Sequence, residues 1–204
     1  MFNDKYGLTE AVLEKRKTMT RRVERIDFYP GSREEQIEKF CKRSATDTKG
    51  RQVWLGFDNK GNWIAQLISH YAIDEEIAVA QKYRDLRDII GDVHDGQSIK
   101  FAKGWSNKMF VCADLMPHRI RITDIKVERL QDISDEDCLK EGIYEDAEEH
   151  GGLYTTPFYD FLGNEEDGFY EPRAAFAALI DKVSGKGTWE RNPWVFVYEF
   201  ELIK

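Results

Sequence analysis

Cysteine, histidine and long apolar runs are all scarce in this chain of 204 residues, and each shortage removes a class of protein. The three cysteines, Cys41, Cys112 and Cys138, are odd in number, far apart and outside any CxxC pair. They signal neither a disulfide framework nor a zinc site, and fit free thiols in a reducing cytoplasm. His70, His94, His118 and His150 show no HExxH or His-x-His grouping, so neither a metal nor a cofactor is expected. No apolar stretch approaches the roughly 18 residues that a membrane-crossing helix requires. Met1 to Lys5 lacks the basic start and apolar stretch of a secretory leader, so a soluble cytoplasmic protein is expected.

What is present is core and charge. Hydrophobic residues make up 41% of the chain and aromatics 13%, enough to bury a sizeable core in one domain spanning residues 1–204. The net charge of −8 argues against an indiscriminate nucleic-acid coat, whose affinity comes from phosphate neutralisation. The charge is unevenly distributed. Residues 15–25 hold Lys15, Arg16, Lys17, Arg21, Arg22 and Arg25 against Glu24 alone, whereas residues 132–149 carry nine acids against Lys140. This division suggests a basic side and an acidic side.

Local patterns place the elements. Thr9 reads as the N-cap of a helix over residues 10–16, with Leu8 stapled on Leu13, and Thr18 to Val23 reads as extended. A second helix is expected after Ser32, which has Glu35 at capping-box spacing. Val53 to Phe57 and Trp63 to Ile68 flank Asp58-Asn59-Lys60-Gly61-Asn62 as a β-hairpin. Alternation around Ile77, Val79 and Gln81 gives a strand followed by helix or loop.

Arg119 to Leu130 alternates in two phases that change at Thr123-Asp124, the mark of a β-bulge in a long bent strand. Ser134 with Asp137 opens a short helix that Gly142 ends. Pro172 and Gly185 bracket another, with Phe176, Leu179, Ile180 and Val183 on one face. Trp194, Phe196, Tyr198 and Phe200 line one side of a closing strand. Residues 144–170 read as a long irregular insertion, of the kind that is usually functional or disordered. Together these give an α+β fold, a small mixed β-barrel decorated with short helices.

Lys17-Thr18-Met19-Thr20-Arg21-Arg22 resembles the GxKxxTxR signature of the ASCH (activating signal cointegrator homology) family. Val127 to Ser134, continuing to Glu141-Gly142-Ile143, looks like that family's strand-to-helix segment. Trp189 to Val195 with Glu199-Phe200 looks like the closing motif of its larger phage and bacterial members. Two positions depart from the pattern: Lys15 stands where the family has glycine, and Gln81 where a glutamate is frequent. The resemblance implies a barrel similar to the PUA (pseudouridine synthase and archaeosine transglycosylase) fold, with a cleft for RNA or a nucleobase. It also implies a role in phage or mobile-element biology.

The resemblance points in two functional directions. One is an RNA- or nucleotide-binding module whose ligand meets Lys17, Thr20, Arg21, Arg22, Arg119, Trp189 and Asn192. Here Arg22 offers a planar fork, Lys17 a point charge and Thr20 a hydroxyl that both donates and accepts. The other is an amidohydrolase removing acyl groups from the N4 of cytidine or a similar modified nucleoside, with Lys17, Thr20 and Glu141 as the catalytic set. Plainer readings stand beside both: a solvated basic strand, an ion pair between Lys17 and Glu141, tryptophans that belong to the core, and an Asn192 that fixes a turn. A third possibility is that the insertion covers the cleft and serves a protein partner.

Overall fold

The computed structural model describes residues 2–94, 97–146, 158–164 and 168–203. Its centre is β12 (Trp194–Leu202), whose residues Val195 to Tyr198 are buried on both faces. It pairs antiparallel with β1 (Met19–Val23) on one side and β9 (Arg119–Arg129) on the other, and β9 in turn pairs with β6 (Glu76–Ala78). A second antiparallel sheet has the order β2, β5, β4, β3, formed by Asp27–Phe28, Trp63–Ile68, Val53–Phe57 and Lys39–Lys42. The fold is α+β, with curled sheets that form a half-barrel and a few short helices.

Alternation along β12 divides two cores. Val195 and Val197 face a cluster with Met19, Leu130, Ile133 and Cys138, closed by Phe176, Leu179 and Ile180. Phe196, Tyr198 and Phe200 face Trp54, Leu67, Val79, Ile120, Ile122 and Ile125 inside the half-barrel. Each such large side chain contributes about 1.5–3 kcal/mol when fully buried. The bend in β9 falls at the expected place: Asp124 pairs with Glu199 and Ile122 with Phe200, leaving Thr123 as the extra residue of a bulge. The β4–β5 hairpin keeps its expected limits, with the Asp58 carboxylate accepting from the backbone N–H of Lys60 and Asn62.

The helices depart further from the sequence reading. α1 runs Leu8–Leu13, earlier than expected, because Gly7 takes the left-handed cap position; Thr9 lies inside the helix and its hydroxyl donates to Asp4 at 2.6 Å. The stretch after Ser32 forms only a 3-10 turn, Glu34–Gln36, before β3 takes over the chain. After β6 come a 3-10 turn at Tyr83–Asp85, α2 (Arg87–Ile90) and the short ribbon of β7 (Val93–His94) with β8 (Gln97–Ser98).

α3 (Asp135–Lys140) and α4 (Pro172–Ser184) have the expected caps, and α5 (Thr188–Arg191) follows Gly187. Val183 is 40% exposed and leaves the apolar face assigned to α4. Within the expected irregular insertion, β10 (Tyr144–Asp146) pairs with β11 (Phe158–Asp160), and Phe161 is buried in the first core. Residues 147–157 and 165–167 of that segment lie outside the described residues. No helix among the described residues is long and apolar enough to cross a membrane.

Candidate functional site

The site is assembled where the ends of α1 and α3 meet β1. α1 closes with a Schellman motif: the N–H of Lys15 donates to Val12 and that of Arg16 to Ala11, with Lys15 itself at φ +62°. A lysine thus holds a left-handed position that favours glycine. The Lys17 N–H also donates to Ala11, and Thr18 N–H to the Lys140 carbonyl at the end of α3. Gly142 takes φ +104°, and a Cβ there would press on Leu8 Cδ2 at 3.1 Å while meeting Lys17 Cδ at an ordinary 3.6 Å.

Lys17 is 2% exposed, and its Nζ donates to Glu141 Oε2 at 2.7 Å and to the Glu141 carbonyl at 2.6 Å. Burial pushes its ammonium below the ordinary lysine range; the Glu141 carboxylate pulls the other way, and Arg21 and Arg22 add to the depression. Arg21 reaches the other Glu141 oxygen at 3.2 Å, Asp137 at 2.9 Å and Glu128 at 2.7 Å. Burial works against the Asp137 carboxylate, yet hydrogen bonds from Arg21 and Lys140 and the charge of Lys126 hold it below the usual range. Lys17 and Arg21 of the basic segment therefore meet Glu141 and Asp137 of the acidic one. They are partners, because two buried cations need carboxylates close by.

On the other face of β1, Thr20 and Arg22 stand two residues apart and only partly buried. They line a cleft of about 760 Å³ with Lys17 and Arg21, walled also by Phe2, Asn3, Asp4, Lys5, Lys108, Val183 and Arg191. That volume is in the range of small-molecule sites, roughly 300–1,000 Å³. Arg22 makes no ion pair among the described residues, and its Nε is buried without a hydrogen-bond partner among them. The cleft brings together Lys17, Thr20, Arg21 and Arg22, with Glu141 bonded beneath Lys17.

The remaining sequence candidates do not line this cleft. Arg119 lies on β9 opposite Ala78. Trp189 packs edge-on against Phe176 at 6.2 Å, on the first core. Asn192 takes a left-handed backbone, and its side-chain oxygen accepts from Gln131 N–H at 2.8 Å. Phe2 and Arg191 are cleft residues that the sequence reading missed. Phe2 carries no local signal, since it reaches the cleft through Lys108, which bonds its carbonyl and the Asp4 carboxylate.

Among the described residues no cluster of three or more His, Cys, Asp or Glu is placed to hold a metal ion. Cys41 and Cys112 are exposed, whereas Cys138 is buried and its thiol is pushed up to about 12, chiefly by burial. No family model, no curated protein and no solved structure matches the chain.

Proposed function

We propose that the cleft binds RNA or a nucleotide, taking a nucleobase with its sugar or phosphate against Thr20 and Arg22. The observation that carries this reading is the contrast inside one cleft: Lys17 and Arg21 are already matched with carboxylates, while the buried Arg22 Nε has no hydrogen-bond partner among the described residues, in a cleft that Thr20 also lines. A planar guanidinium with an open donor suits a phosphate oxygen or the acceptor edge of a base. The sequence resemblance to the ASCH family, and through it to a PUA-like barrel, supports the same reading.

Paired cations also set its scale. Arg22, Arg191 and Lys5 are the cleft cations without an ion pair among the described residues, so few phosphates can be neutralised. Each phosphate on a single strand contributes about 0.7 to the slope of log affinity on log salt, so a shallow dependence is expected.

A second reading is favoured by Lys17 itself, a fully buried lysine 2.7 Å from a carboxylate at the floor of an open cleft. In an amidohydrolase acting on N4-acylated cytidine, Thr20 orients a water toward the acyl carbon. The water oxygen bonds to that carbon, its proton passes through Lys17 to the departing amine, and the C–N bond breaks to give acid and amine. Glu141 positions Lys17. Because burial lowers the Lys17 pKa, the rate should rise with pH through a value below the ordinary 10.5.

One experiment addresses both readings. N4-acetylcytidine is incubated with wild type, Lys17→Ala and Glu141→Ala and followed by chromatography, alongside binding of single-stranded RNA at low and high salt to wild type and Arg22→Ala. Turnover lost in both variants supports the hydrolase. RNA binding lost in Arg22→Ala without turnover supports the binding module, and absence of turnover and of any binding overturns both.

A further inference from the structure

Phe2, Asn3, Asp4 and Lys5 form one wall of the cleft, beside the buried Lys17. Phe2 packs against both of the cores that β12 divides. Its ring rests on Phe200 with centres 5.5 Å apart, and the Lys17 Nζ lies 6.0 Å from the same ring.

The wall is held from a distant part of the chain. Lys108 donates to the Asp4 carboxylate at 2.6 Å, to the Thr9 hydroxyl at 2.9 Å and to the Phe2 carbonyl, and Lys82 meets the other Asp4 oxygen at 3.2 Å. Both lysines belong to the segment between β6 and β9, which has a small core of its own in Tyr83, Leu86, Ile99 and Met116. This hold is partly in water: the side chains of Lys108 and Asp4 are 12% and 38% exposed, and ion pairs open to solvent contribute little to stability.

Beyond Lys5 the chain is anchored. Tyr6 is buried edge-on against Phe161 at 6.0 Å, and Gly7 takes a left-handed backbone where a Cβ would press on Leu162 at 2.7 Å. Residues 2–5 therefore have a fixed pivot and a weak far hold, the arrangement that opens locally while the core stays folded.

From this arrangement we infer that residues 2–5 are a gating strap: Phe2 plugs the approach to the Lys17–Glu141 pair, and release of Asp4 from Lys108 opens it. The strap governs access to that pair whatever the ligand is, so it stands apart from the proposed function.

The test contains no ligand. Full-chain wild type, Lys108→Met and Phe2→Ala are treated with formaldehyde and cyanoborohydride, and methylation of Lys17 is timed by mass spectrometry. Hydrogen exchange at the Gly7 and Leu8 N–H groups, which donate to the Asp4 and Asn3 carbonyls at 3.1 and 3.0 Å, reports the position of the strap. Wild type should methylate Lys17 slowly. Lys108→Met should raise that rate about tenfold and speed exchange at Gly7 and Leu8. Phe2→Ala should raise it as far while both amides keep their wild-type exchange, because the hold on Asp4 remains. Exchange in β12 should be the same in all three proteins.

An unchanged Lys17 rate in either variant would overturn the strap. A rise accompanied by faster exchange in β12 would overturn it as well, since general loosening then exposes the lysine. Either failure leaves the nucleotide reading standing, because no nucleotide takes part.

Discussion

Arg21 and Arg22 are neighbours on one strand, carry the same group and live in opposite circumstances. Arg21 points into the molecule and meets Glu141, Glu128 and Asp137, with no side-chain exposure. Arg22 points to the half-barrel mouth and has a buried nitrogen with no partner among the described residues. The pleat makes this inevitable, since successive side chains of a strand face opposite ways. The arginine that is matched to three carboxylates holds α3 against β1, and the one whose Nε has no partner among the described residues is the group that the proposed function gives to a ligand.

The sharpest way to break this comparison is to remove each arginine in turn. Arg21→Ala leaves three carboxylates crowded around a lost cation, and urea denaturation should show a loss of about 3–5 kcal/mol. Arg22→Ala should stay within about 1 kcal/mol of wild type while losing ligand. Equal losses in stability would mean that both arginines are structural.

A smaller effect comes from one partner of Arg21. The folded pKa of Asp137 lies below the ordinary 3.8, so its contribution is complete above that value and disappears as pH falls through the lower folded pKa. Asp137→Asn should cost about 1.5–3 kcal/mol at neutral pH and flatten the acid arm of the stability curve below it. An acid arm as steep as that of wild type would show that Asp137 is not among the groups governing acid unfolding.

The smallest expected change concerns the turn that delivers the strand. Lys15 occupies a left-handed backbone that costs an L-residue about 1–2 kcal/mol, while glycine gives back roughly 0.5–1 kcal/mol through its freer unfolded chain. Lys15→Gly should therefore stabilise the protein by about 0.5–1 kcal/mol, seen as a higher melting temperature. Ligand affinity should be unaltered, because Lys15 is not among the residues lining the cleft.

These contrasts also explain what the sequence disclosed. The hairpin at Asp58–Asn62, the bulge at Thr123 and the caps at Ser134 and Pro172 were legible because each depends on side-chain chemistry within a few residues. The helix expected after Ser32 failed because the capping signal precedes only one turn before Lys39 joins β4. The pairing of the two charge runs was hidden for a different reason: Lys17 and Glu141 are 124 positions apart, and only the tertiary fold brings Lys17 and Arg21 into one buried network with Glu141 and Asp137. Phe2 was invisible in the same way, held at the cleft by a lysine 106 positions distant.

The measurement that tests the central contrast most directly is nitrogen-15 NMR of the arginine Nε–H groups during titration with cytidine 5′-monophosphate and N4-acetylcytidine. The Arg22 signal should move with ligand while the Arg21 signal, fixed by its carboxylates, stays in place. Movement of Arg21 with Arg22 unaffected, or no movement of either by both compounds, would contradict the account.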